Sequence, residues 1–235
     1  MRRKEGQRKR GGAERLMKTI PLTRGKQTIV DDEDYERLMA HSWAWVPATG
    51  SRSSVGYAVR KGNKKRGEPR TVQMHREILH APQGIMVDHI NLNSLDNRKE
   101  NLRCATVQEN GFNRPKPCME CTSIYKGVLA RENNPIKNGW IARIKFNGRH
   151  VELGRYWNEE QAAAAYNFAS RLFFGRYRHE NEGVEELTSA QQWGLFQKAR
   201  NYIERYGWYV DTETYRSFYA AMIYKNECQT VNKVG

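Results

Sequence analysis

Long apolar runs are absent from this chain of 235 residues. Nothing approaches the roughly 18 consecutive apolar residues that a bilayer span requires, and the mean hydropathy is −0.87, so no membrane partner is expected. Cysteine is scarce, and Cys104, Cys118, Cys121 and Cys228 are too scattered for a disulfide framework. Only Cys118 and Cys121 have metal-ligand spacing. A zinc ribbon needs a second such pair, which the other two cysteines do not form, so the pair reads as reduced thiols in a linker. The opening MRRKEGQRKRGGAER carries charge without the apolar stretch of a secretory signal, which points to an intracellular protein starting at Met1 or Met17.

Acidic residues are also in deficit. There are 26 Asp and Glu against 40 Lys and Arg, a formal net charge of +14. The excess sits in residues 1–182, while residues 183–235 balance six basic against six acidic residues. A nucleic-acid partner is expected along the basic segments, because each phosphate neutralised by Lys or Arg releases counterions. Solubility alone is the plainer explanation of such a charge, and a packaging protein using charge without sequence preference would share it.

Local patterns divide the chain further. Residues 1–17 have no hydrophobic periodicity and read as a basic flexible arm. KQTIV suggests a strand, DDEDYERL a helix start favoured by its negative charge, and Trp43, Trp45, Tyr57 and Val59 a hairpin around ATGSRSSVG. RKGNKKRGEPR is a basic turn leading to the short apolar run TVQMHREIL, in which His75 is expected to pack. RPKPCMECTS reads as a linker over 114–123. Beyond it, YKGVLAR, GWIARIKF and RHVELGRY are strand-like, with a two-residue turn at Asn147-Gly148. A helix is predicted from about Glu159 to Gly175, and two amphipathic helices within TSAQQWGLFQKARNYIERYG and TETYRSFYAAMIYKNE. The fold class is therefore α+β.

The chemistry concentrates in residues 74–114. His75-Arg76 is followed by Asp88-His89-Ile90-Asn91, Asp96-Asn97-Arg98, Asn101-Leu102-Arg103 and Gln108-Glu109-Asn110. This series resembles the HNH homing-endonuclease family of phages and mobile elements. The resemblance implies a ββα-metal (His-Me finger) nuclease domain, here over residues 18–113 with a β-rich N-terminal extension, which hydrolyses phosphodiester bonds of double-stranded DNA. A neutral imidazole suits His89 as general base. Asp88 and Asn110 offer hard oxygen ligands that leave room for water and phosphate, the arrangement Mg²⁺ prefers and Mn²⁺ accepts. Asn101, the central Asn of the family motif, is expected to support catalysis by bonding the hairpin loop that presents His89. Arg76 and Arg103 are candidates to clamp phosphates. Successive strand side chains face opposite ways, so Asp88 and His89 are expected at a strand end or bulge.

Residues 124–182 resemble the plant ethylene-response-factor (ERF, Apetala-type) DNA-binding domain through Tyr125-Lys126-Gly127-Val128, Trp140-Ile141-Ala142, Leu153-Gly154-Arg155-Tyr156, the alanine-rich stretch around Tyr166, and Asn181. That likeness implies a three-stranded sheet packed on one helix and entering the major groove. Lys126, Arg131, Arg143, Lys145, Arg149 and Arg155 are the candidate DNA contacts, with Trp140 packing on the DNA backbone. Leu129 and Glu152 depart from the plant pattern, so the plant target sequence does not transfer. Residues 183–235 form a helical C-terminal extension outside both likenesses. The expected protein is a site-preferring, metal-dependent DNA endonuclease, a monomer being favoured, and the alternative is a non-catalytic sequence-specific DNA-binding or transcription regulator.

Overall fold

A computed structural model describes residues 17–48, 55–116, 122–130, 139–206 and the single residue 220. The arm at 1–16, Arg131, Cys118, Cys121, Cys228 and most of the helix expected in TETYRSFYAAMIYKNE lie outside the described residues. Two compact units divide the chain between Val107 and Gln108.

The first unit begins with an antiparallel pair, β1 (Met17–Pro21) and β2 (Gln27–Asp31). The turn between them is tight because Arg24 and Gly25 both adopt left-handed backbone, with φ of 60° and 64°. Helix α1 (Asp32–Met39) follows at once, with Asp32, Glu33 and Asp34 complementing the positive end of its dipole. A three-stranded antiparallel sheet comes next, in the order β3 (Ala44–Pro47), β4 (Gly56–Lys61) and β5 (Thr71–Gln73). Gly56 lies under the Trp45 indole, where a Cβ would approach to 2.4 Å. The run TVQMHREIL divides into β5 and the short helix α2 (Met74–Ile78). Strands β6 (Met86–His89) and β7 (Leu102–Ala105) then pair antiparallel. Ile20, Val30, Leu38, Trp43, Ala58, Met74, Ile78 and Leu102 share one buried core.

The loop joining β6 to β7 rests along β2. The Ile29 N–H donates to the Leu95 carbonyl at 2.8 Å, and the Asn97 N–H donates to the Ile29 carbonyl at 2.8 Å. Asp31 precedes α1 without capping it, and its Oδ2 instead accepts the Lys99 N–H at 2.7 Å. After β7 comes α3 (Val107–Phe112).

The second unit is built on a sheet ordered β10 (Arg149–Tyr156), β9 (Trp140–Phe146), β8 (Val128–Ala130), all antiparallel. Asn147 and Gly148, with φ of 46° and 77°, make the β9–β10 turn. Helix α4 (Glu159–Phe174) starts where the Asn158 side chain accepts the Glu160 and Gln161 N–H groups. Its alanines, among them Ala162, Ala163, Ala165 and Ala169, bring it close to the sheet face carrying Ala142, Ile144, Phe146 and Val151. Helix α5 (Ser189–Tyr206) adds Leu195, Phe196 and Ala199 to the same core, so part of the C-terminal extension completes this unit. The Phe112 ring stacks on Phe174 with centroids 4.0 Å apart.

Candidate functional site

His89 is the last residue of β6, and the register is regular there: Asp88 stands opposite Arg103 and His89 opposite Leu102. The two side chains therefore leave the strand on opposite faces. Both are nearly buried, each 6% exposed. The Arg103 Nε and Nη2 groups donate to Asp88 Oδ2 at 2.8 and 2.5 Å. Arg103 thus stands in an ion pair with Asp88, not as a solvent-facing phosphate clamp.

On the other face, the His89 ring packs against His75, centroids 5.2 Å apart, and against Tyr57 at 6.3 Å. Burial pushes the His75 pKa down to about 3, helped by His89 and Arg76 nearby. Burial also lowers that of His89, against the opposing pull of the Asn97 hydrogen bond and of Asp88 and Asp96. Both imidazoles are therefore neutral at physiological pH, the state in which a histidine accepts a proton.

The polar loop after His89 is held by its own side chains. Asn101 Oδ1 accepts the Asn91 N–H at 2.9 Å, and Asn101 Nδ2 donates to the Asp96 carbonyl at 2.8 Å. Asp96 in turn receives Arg98 through both carboxylate oxygens, at 2.8 and 2.7 Å, and the Asn91 amide at 2.8 Å. The Arg98 pairing holds the Asp96 pKa below the usual carboxylate range. Asn97, only 1% exposed, meets His89 Nε2 at 3.2 Å and donates to Thr28 Oγ1 at 2.7 Å. Asn97 belongs to the motif, but its spacing alone assigns it no role. Thr28 carries no sequence signal, being 69 positions from Asn97.

Arg76, expected to clamp a phosphate, is engaged within the first unit. Its guanidinium donates to the backbone carbonyls of Ile85, Ala81 and Pro82, tying α2 to the approach of β6. Asn110 stands on α3, in the second unit.

In the second unit, the sheet face away from α4 presents Arg143 and Lys145, with Arg155 opposite Ile141 beyond a bulge between Glu152 and Gly154. Arg155 pairs with Glu152 at 3.0 Å. Three other expected DNA contacts lie elsewhere. Trp140 has the parity of Ala142 and Ile144 and packs half-buried against the core. Arg149 stands opposite Phe146, on the helix side, with its guanidinium 4.9 Å from the Tyr206 ring centre. Lys126 is turned inward, its Nζ donating to the carbonyls of Phe112 and Arg114, and burial pushes its pKa down to about 8. Asn181 accepts the Lys126 N–H at 2.7 Å and bonds Asn167 of α4, so it joins the segment leading into β8 to the helix.

Among the described residues, no group of three or more His, Cys, Asp or Glu side chains converges on a metal position, and no helix is long and apolar enough to cross a membrane. Residues 80–112 match the family model of HNH endonucleases. An uncharacterised HNH endonuclease of Acanthamoeba polyphaga mimivirus is 36% identical over 117 residues, covering 47% of this chain. The chain spans 58% of that relative's length. No solved structure gives a significant match. The segment similar to HNH endonucleases thus takes in the end of β6 with Asp88 and His89, the Asn101 loop, β7 and α3.

Proposed function

We propose that the chain is a metal-dependent, site-preferring endonuclease of double-stranded DNA, acting inside the cell. The observation that carries this reading is the buried, neutral His89 at the end of β6, held against Asn97 within the segment similar to the HNH family. His89 would take the proton from the attacking water as general base. Asp88 would offer an oxygen donor of the hard kind that Mg²⁺ or Mn²⁺ accepts, Asn110 is by its residue type a second candidate, and so few protein ligands would leave positions for water and phosphate oxygens. When bound, the ion would stabilise the charge that develops on the phosphate and the leaving oxygen. Asn101 holds the loop behind His89 and acts on the reaction through it.

The second unit is the proposed DNA reader, in the manner of an ERF-like sheet. Arg143, Lys145 and Arg155 share the sheet face not covered by α4, where long basic side chains reach phosphates or guanine edges. Tethering such a reader to a nuclease raises the local concentration of target phosphates.

A supercoiled-plasmid assay with Mg²⁺ against EDTA tests the proposal. Relaxed or linear product with Mg²⁺ and none with EDTA is the expected result. DNA binding without cleavage under any divalent ion would favour a non-catalytic regulator instead.

A further inference from the structure

Three side chains from two distant parts of the first unit form a buried chain of hydrogen bonds ending on His89. Its direction can be read from the valence of each group. The Thr28 hydroxyl lies 2.8 Å from the Leu95 carbonyl, which can only accept, so the one hydroxyl proton points there. Towards Asn97, at 2.7 Å, Thr28 Oγ1 must therefore accept, and the Asn97 atom facing it is the amide nitrogen. That fixes the other end of the amide: Oδ1 faces His89 Nε2 at 3.2 Å. An amide oxygen offers no proton, so Nε2 must carry one, and in the neutral ring the lone pair is left on Nδ1.

We infer that Thr28 and Asn97 are positioning residues that hold the His89 imidazole as its Nε2–H tautomer, leaving Nδ1 as the proton-accepting atom. Thr28 lies on β2, outside the matched segment 80–112, so the N-terminal hairpin sets the protonation geometry of the nuclease centre. Both residues are almost fully buried, Thr28 at 0% and Asn97 at 1%, so water has little access with which to replace a lost partner. Backbone bonds on both sides of Asn97 keep it in reach: its own N–H donates to Ile29, and Leu95 accepts from Ile29.

The inference rests on the nuclease reading for its catalytic consequence but not for its tautomer. Long-range ¹H–¹⁵N spectra of the full chain in EDTA, at about pH 7.5 where unperturbed imidazoles are mostly neutral, report the tautomer directly. His89 signals are identified by their loss in His89→Gln. The expected wild-type pattern is a protonated Nε2 and a bare Nδ1. Thr28→Val removes the acceptor that orients Asn97 and is expected to shift the pattern toward mixed tautomers and lower kcat about tenfold with KM unchanged. Thr28→Ser, which keeps the hydroxyl, should restore both. A wild-type His89 protonated on Nδ1, or a Thr28→Val protein with unaltered spectrum and kcat, would overturn the inference. A wild type that shows the expected tautomer but cuts no DNA would instead contradict the nuclease reading.

Discussion

Asp88 and Arg103 face each other across β6 and β7, with two guanidinium N–H groups on one carboxylate oxygen. Their side chains are only 6% and 10% exposed, so the pairing offsets part of the water that both charges lose. Arg103→Met should therefore destabilise the first unit by about 3 kcal/mol. Urea unfolding measures this, and adding Asp88→Asn to the same chain should recover part of the loss, because the remaining group is then uncharged.

Asn101 serves the loop with both ends of its amide. Asn101→Ala leaves the Asn91 N–H and the Asp96 carbonyl unsatisfied beside a buried position, at a cost of about 1–3 kcal/mol. Asn101→Asp keeps the acceptor but loses the donor. Thermal melting should rank wild type above both variants, and cleavage should fall in both, because the loop that follows His89 loses its anchor.

Gly127 has φ of +76°, and a Cβ there would lie 1.9 Å from Tyr166 Cδ2. Gly127→Ala is expected to cost about 2–4 kcal/mol, combining left-handed backbone strain with displacement of a buried ring. Near-ultraviolet circular dichroism of the tyrosines would follow the loss of packing between β8 and α4.

Glu180 sits among Arg171 and Arg178. Burial alone would raise its pKa, but the hydrogen bonds from Arg171 and then Arg178 outweigh it and pull the carboxyl from 4.5 down to about 2. A depressed carboxylate stabilises the fold above its unfolded pKa and loses that contribution as pH falls through the folded one. The second unit should thus lose on the order of 1–3 kcal/mol between pH 4.5 and 2. Glu180→Gln should flatten that part of the stability profile.

The sheet face yields a contrast between neighbours. Arg143→Ala and Lys145→Ala should weaken DNA binding and reduce its salt slope by about one for each phosphate left without its cation. Arg149→Ala, whose side chain lies on the helix side against Tyr206, should leave the slope unchanged. Fluorescence anisotropy across a salt series distinguishes the two.

Much of the fold is written locally in the chain. Asn147-Gly148 makes its turn because both residues accept positive φ, and α4 runs between the cap at Asn158 and Gly175 because those signals act within one turn. The dense spacing from Asp88 to Asn110 marks the segment similar to HNH endonucleases. Trp140, expected to pack on the DNA backbone, shares its parity with Ala142, Ile144 and Phe146, which places it on the core side of the strand. Arg76, Lys126 and Arg149 are not legible as they stand, because their partners are backbone carbonyls or a ring brought near only by folding. Basic composition cannot distinguish a lysine facing DNA from one facing a carbonyl. The Thr28–Asn97–His89 chain is least accessible of all, since it depends on the β6–β7 loop lying along β2.

His89 is proposed to perform the chemistry while other residues hold the DNA. Wild type and His89→Ala should be compared on the same plasmid with Mg²⁺, with DNA binding measured in parallel by mobility shift. Cleavage should fall by at least about a hundredfold while binding stays within the wild-type range. Equal cleavage by the two proteins would rule out His89 as the general base.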